Sequence, residues 1–219
     1  RAVTVEDFVL SETALASLQA GEILVKVSYL SFDPSQKGQM ENVGYAAATG
    51  LGQVMIGRGI GEVIESANER IKPGDTVMGP MGWQDYATVN VKDVEVVAND
   101  ELLTARLGPL GGTGLTAYFG LLRHGHPEPG DTLVVSGAAG ATGSIVGQIG
   151  KLAGCNVIGI AGGAEKCAWL VDELGFDAAV DYRSGNTKQR LKELCPQGVN
   201  VFFDNVGGPV LDSVLDHLA

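Results

Sequence analysis

The sequence predicts a two-part α/β protein, a β-rich unit followed by a doubly wound parallel sheet with helices on both faces. Short strand-like runs separated by turn signals fill the first part, and strand–helix alternation replaces them after about residue 105. The strands of the second part are apolar throughout. Alternation of apolar and polar residues marks a half-buried strand, whereas an unbroken apolar run marks one covered on both faces.

In the first part, Glu22–Leu30 (EILVKVSYL) alternates as a strand with one wet face should, and residues 61–66 (GEVIES) repeat the pattern. Lys72-Pro73-Gly74-Asp75 forms a tight turn into a strand over residues 76–78, and residues 83–89 (WQDYATV) give another. Strands so short and closely spaced suit a partly closed β-barrel. In the second part, residues 115–122 read as a helix entered through Thr113 and Gly114. Strands then fall at Thr132–Ser136, Asn156–Ala161, Ala178–Asp181 and residues 200–204, with helices over 143–154, 165–174 and 187–195 and an amphipathic stretch over 210–218. The expected division is residues 1–104 and 105–219, and right-handed crossovers follow from the parallel pairing.

Four strands are counted where the complete dinucleotide fold has six. The first residue is Arg1 rather than Met, and Ala219 falls inside a helical pattern. The expectation is a C-terminally incomplete portion of a longer protein.

A net charge of −11 argues against nucleic acid and anionic membranes as partners, since both need basic surface. It leaves room for an anionic cofactor, which needs only a local cluster of donors. No apolar run reaches the roughly 18 residues of a membrane span. The odd number of cysteines, Cys155, Cys167 and Cys195, without CxxC spacing, fits a reduced, cytoplasmic setting and small buried thiols rather than a disulfide framework.

The segment TLVVSGAAGATG runs from the strand at Thr132 through Gly137, Gly140 and Gly143 into a helix. Gly137 permits the tight turn, Gly140 lets backbone approach a pyrophosphate, and Gly143 allows close helix–sheet packing. The helix N-terminus then offers free N–H groups and a partial positive charge to phosphate. The alternative is a glycine turn serving packing alone.

An NAD site carries an acid at the end of the second strand, for the ribose 2′-hydroxyl. Here that strand is followed by Gly162, Gly163 and Ala164, with Lys166 placed to meet a 2′-phosphate. Tyr182 and Arg183, at the tip of the third strand, are placed to close over the same group. Together these predict NADP(H), against the reading of two ordinary solvated cations. Glu165 is then a first-turn acid favoured by the helix dipole. Asn205, after the fourth strand, is placed either to hydrogen-bond the cofactor or to cap the next helix.

Asp33-Pro34, GWQDY at 82–86, GLTAYFG at 114–120, AAGATG at 138–143, GGAEK at 162–166 and FDNVGG at 203–208 carry a resemblance. Through them the chain resembles the zinc-free medium-chain dehydrogenase/reductase family. The matching branch is that of leukotriene B4 dehydrogenase/prostaglandin reductase and the curcumin and double-bond reductases. The resemblance implies a GroES-like β-barrel catalytic domain followed by a Rossmann domain. It also implies NADPH-dependent reduction of the carbon–carbon double bond of enals and enones, and a homodimer when the chain is complete. Its cofactor contacts fall on Gly140, Ala141, Thr142, Gly143, Lys166, Tyr182 and Asn205, and Gly163 leaves space beside them. The stretches SYLSFDP at 28–34 and GRGIGE at 57–62 stand where zinc dehydrogenases carry Cys and Gly-His-Glu, so no metal is expected.

Ser35 occupies the place of a tyrosine found in many members, so no role is carried over to it. The tyrosine that the family sets beside the substrate carbonyl lies beyond Ala219. No catalytic residue is therefore assigned, and Tyr45 stands as a candidate pocket-lining residue. A quinone reductase and a non-catalytic NADP-binding protein are the competing readings.

Overall fold

A computed structural model describes residues 2–41 and 48–219; Tyr45 lies outside the described residues. The chain divides into two compact units, Arg1–Leu107 and Gly108–Ala219.

Among the described residues the first unit is built on strands β1 (Glu22–Leu30), β2 (Arg58–Ser66), β3 (Thr76–Pro80), β4 (Tyr86–Asn90) and β5 (Glu95–Val96), with an α-helix, α1 (Pro34–Met40), and short 3-10 turns. They form an antiparallel sheet in the order β4-β1-β2-β3-β5. The alternation expected of β1 is broken: Ile23, Leu24 and Val25 are all buried. The register against β2 shifts between Leu24 and Val25, and such an irregularity re-aims successive side chains. Ile23, Val25, Val63, Val77, Met81 and Ala87 pack into this unit's core.

Two expected boundaries move. β2 starts at Arg58 rather than 61, because Gly59 faces the backbone of Tyr29 so closely that a Cβ would lie 2.7 Å from its carbonyl oxygen. β4 starts at Tyr86 rather than 83, because the Trp83 N–H is taken by Met55 O at 2.8 Å, outside the ladder. The sequence reading also missed α1, whose start is a reciprocal box between Asp33 and Gln36.

The second unit carries β6 (Thr132–Ser136), β7 (Asn156–Ala161), β8 (Ala178–Asp181) and β9 (Val201–Phe203), all parallel, in the order β8-β7-β6-β9. That is the strand arrangement of a Rossmann sheet read as 3-2-1-4. Its helices are α2 (Gly112–Tyr118), α3 (Ala141–Leu152), α4 (Ala164–Asp172), α5 (Thr187–Leu194) and α6 (Gly208–Leu215). The helix expected over 115–122 is instead α2, followed by a π-helical turn over Phe119–Gly125 that ends at His126 with φ 45°. The stretch 210–218 gives way to α6, which starts two residues earlier because Pro209 suits a first helical turn.

α3 lies close to the sheet because three of its residues lack a side chain. A Cβ on Gly143 would sit 2.5 Å from Gly137 O, one on Gly147 would strike the Phe176 ring, and one on Gly150 would strike Leu133. The core between helices and sheet contains Leu133, Val135, Val146, Val157, Leu170 and Phe176 on one face, with Val134, Ile158, Ile160, Val180 and Leu191 on the other.

Candidate functional site: the carboxyl edge of the parallel sheet

The sheet order reverses between β6 and β9, and open α/β sheets bind ligands in the crevice beyond the strand ends at such a point. Gly137 turns there with φ 56°, and a Cβ on it would meet Asn205 Cβ at 3.3 Å and Val206 Cγ2 at 3.4 Å. Gly140 is the N-cap of α3, with no side-chain cap. The first N–H groups of a helix have no partner within it, so Ala141, Thr142 and Gly143 present donors and a partial positive charge. A Cβ on Gly140 would touch only Gly137 O, at 3.1 Å, leaving its outer side open.

The next turn holds the cations. Gly163 caps α4 with φ 99° and no side-chain cap, and its N–H donates to Asp181 Oδ1 at 2.8 Å. Gly163 therefore offers space rather than a donor. Arg183 N–H donates to the same oxygen at 2.9 Å, so one carboxylate ties together the turns after β7 and β8. These N–H groups, Gly163 first, hold the Asp181 carboxyl below its ordinary value. Tyr182 and Arg183 stand over Gly162: a Cβ there would lie 2.9 Å from the Tyr182 hydroxyl and 3.0 Å from Arg183 Nε. The guanidinium sits 5.9 Å from the Tyr182 ring centre.

Lys166 is exposed in the first turn of α4, where the helix dipole opposes a cation unless an anion lies beside it. Among the described residues neither Lys166 nor Arg183 joins an ion pair. Ala139 of the glycine turn and Lys166, Trp169 and Glu165 of α4 line one hollow, so the two turns share a surface.

Asn205 caps no helix, since Gly207 is the N-cap of α6. Its amide Nδ2 donates to Ser136 O at 2.8 Å, and its backbone N–H to Ser136 Oγ at 2.8 Å. Ser136, fully buried, donates to Asp204 Oδ1 at 2.6 Å. Burial works against ionisation of Asp204, but the Ser136 hydroxyl and the Gly207 and Val206 N–H groups outweigh it and lower its pKa. Sequence reasoning missed Ser136, Asp204 and Asp181. The available signal was a polar residue at the end of β6 and of β8 and just after β9.

Among the described residues no group of three or more His, Cys, Asp or Glu is placed to hold a metal ion. The three cysteines are free, and burial raises each thiol above its ordinary value. No helix among them is long and apolar enough to cross a membrane.

A bulged antiparallel unit joined to a parallel sheet with a glycine-lined switch point defines the class: the chain belongs to the medium-chain dehydrogenase/reductase family. Residues 2–97 match the family described as N-terminal domain of oxidoreductase, and residues 141–219 match that described as zinc-binding dehydrogenase. Within the family it falls in the zinc-free reductase branch. The chain is 42% identical over 212 residues to NADPH-dependent curcumin reductase of Escherichia coli (strain K12), covering 96% of this chain and 61% of the relative. It is 42% identical to prostaglandin reductase 1 of Bos taurus, covering 94% of this chain and 62% of the relative. The crystal structure of CurA in complex with NADPH from Vibrio vulnificus superposes with a TM-score of 0.93 at 42% identity, covering 99% of this chain and 65% of that one. The chain thus spans a little under two thirds of these relatives.

Proposed function

We propose that this chain belongs to an NADPH-dependent reductase of the carbon–carbon double bond in α,β-unsaturated aldehydes and ketones. In this reading residues 105–219 hold the cofactor and residues 1–104 face the substrate. The observation that carries it is the pairing of an uncapped helix N-terminus at Gly140–Gly143 with the unpaired cations Lys166 and Arg183 at the next turn. The first suits a pyrophosphate, the second a 2′-phosphate. Both groups are present in NADP(H), and the curcumin reductase relative is named as NADPH-dependent.

NADPH, when bound, supplies a hydride for the β-carbon. The chain's own contribution is binding and orientation. Ala141, Thr142 and Gly143 would donate to the pyrophosphate, Lys166, Arg183 and Tyr182 would meet the 2′-phosphate, and Gly163 would leave room beside them. Asn205, anchored on Ser136, keeps its Oδ1 for the cofactor while its Nδ2 is occupied. The choice of double-bond reduction is supported by relatives named prostaglandin reductase 1 and, in Nicotiana tabacum, 2-alkenal reductase (NADP(+)-dependent). A quinone oxidoreductase structure shares the fold with a TM-score of 0.73 at 22% identity, which speaks to fold alone. The complete protein is taken as a homodimer on the strength of the family resemblance, and as cytoplasmic on its unpaired cysteines.

The test is turnover by the complete protein with a straight-chain alkenal and with a quinone. NADPH-dependent loss of enone absorbance, much faster than with NADH, is expected. Equal rates with NADH, turnover of quinones alone, or cofactor binding without any reduction would overturn the proposal.

A further inference from the structure

In an NAD site the acid that ends the second strand holds the ribose 2′-hydroxyl. Here Ala161 ends β7, and the residue paired with it across the ladder is Asp181, the last of β8. An acid is thus present at this edge of the sheet, displaced to the neighbouring strand. Two roles are open to it: to take a ribose hydroxyl from there, or to act on the protein's own turns.

The hydrogen bonds favour the second. Asp181 Oδ1 accepts from Gly163 N–H at 2.8 Å and from Arg183 N–H at 2.9 Å. Gly163 begins α4, whose first turn carries Lys166, and Arg183 lies in the 3-10 turn Tyr182–Ser184. The main-chain oxygen of Asp181 accepts from Ser184 Oγ at 2.7 Å, which closes that second turn on itself. The Arg183 side chain is thereby laid along the glycine pair: a Cβ on Gly162 would lie 3.0 Å from its Nε, and one on Gly163 would lie 3.8 Å from its Nη1. The carboxylate takes backbone donors and, among the described residues, forms no ion pair with the Arg183 guanidinium or the Lys166 ammonium. Both cations stay available to an anion.

We propose that Asp181 is a positioning residue for cofactor choice, fixing the turns that bear Lys166 and Arg183 so that their cations meet on the 2′-phosphate of NADP(H). The inference rests on the NADP(H) reading of those two cations. Side chains set on fixed turns lose less freedom on binding than those on loose ones, and the difference appears as affinity. The sign of the effect separates the two roles. A carboxylate near a phosphate repels it, so by charge alone its removal tightens NADPH binding. Acting through the turns, its removal weakens NADPH binding instead.

The test is calorimetric titration of the complete protein with NADPH and with NADH. Asp181→Ala should raise the Kd for NADPH about tenfold and that for NADH by less than about twofold. Asp181→Asn keeps Oδ1 as an acceptor for both N–H groups, and should return NADPH binding to within about threefold of wild type. In a background of Lys166→Ala and Arg183→Ala, adding Asp181→Ala should change NADPH binding by less than about twofold, since the carboxylate acts through those cations. Where Asp181→Ala does not unfold cooperatively, Asp181→Glu replaces it; the charge is kept but the oxygens move out by one carbon, and NADPH should again weaken more than NADH. NADPH held as tightly or more tightly without the carboxylate, both cofactors weakened alike, Asn no better than Ala, or an equal loss in the background without the cations overturns this inference and leaves the NADP(H) reading standing. A wild type that binds NADPH no better than NADH overturns both.

Discussion

In the antiparallel unit, turns are closed by their own side chains: Asn68 Oδ1 accepts from the Arg70 and Ile71 N–H groups, Asp75 from Lys72 and Asn90 from Lys92. In the parallel unit, α3, α4 and α6 all start from a glycine without a side-chain cap. The turns before α4 and α6 borrow a carboxylate from a strand end, Asp181 and Asp204. Of these three turns, among the described residues, the one before α3 receives no carboxylate. Ser, Thr, Asp or Asn at its N-cap would stabilise the helix in the free protein, so a glycine there leaves donors that an anion must satisfy. The difference teaches that the turn proposed to hold the pyrophosphate is also one whose helix start is left to its backbone donors.

That comparison can be broken first at Gly140. Its φ of −85° suits any residue, and a new Cβ needs only a small adjustment against Gly137 O. Gly140→Asp supplies both a cap and a negative charge, so NADPH affinity should fall by about 2–3 kcal/mol while unfolding stability holds or rises slightly. Calorimetry and urea unfolding on the same preparation would check both; an affinity left intact would contradict the assignment. The opposite pattern is expected of Asn68→Ala. Loss of its two backbone bonds should cost about 1 kcal/mol of stability with NADPH affinity untouched, read by the same pair of measurements.

The smallest effect concerns Asp181. Its folded pKa lies below the unfolded value, so its stabilisation is complete above the unfolded value and fades as pH falls through the folded one. The melting-temperature gap between wild type and Asp181→Asn should stay constant from about pH 8 to about pH 5 and close below the ordinary value of 3.8. A gap that is unchanged in stronger acid would show that the carboxylate does not hold these two turns together.

The parallel sheet was readable because its strands are apolar runs bounded by turn residues; Thr132–Ser136, Asn156–Ala161 and Ala178–Asp181 need no pairing information to locate. The π-turn at Phe119–Gly125 was not, since its apolar residues also fit an ordinary helix, and its form goes with Gly120 and Gly125 lying against Phe203 and Val201 of a distant strand. The glycines and Lys166 were legible as a local motif. The roles of Ser136, Asp181 and Asp204 were not, because each acts on backbone that the chain brings close only after folding. Trp83 read as an ordinary strand residue, and only packing reveals that its indole N–H has no acceptor.

The central claim is that Gly140–Gly143 and Lys166 together bind a dinucleotide carrying a 2′-phosphate. Titrating the complete protein with NADPH and with NADH, as wild type and as Lys166→Ala, tests it most directly. NADPH should bind wild type at least tenfold more tightly, and Lys166→Ala should remove about 1–3 kcal/mol from NADPH binding while leaving NADH nearly unchanged. Equal weakening of both cofactors, or no preference in the wild type, would contradict it.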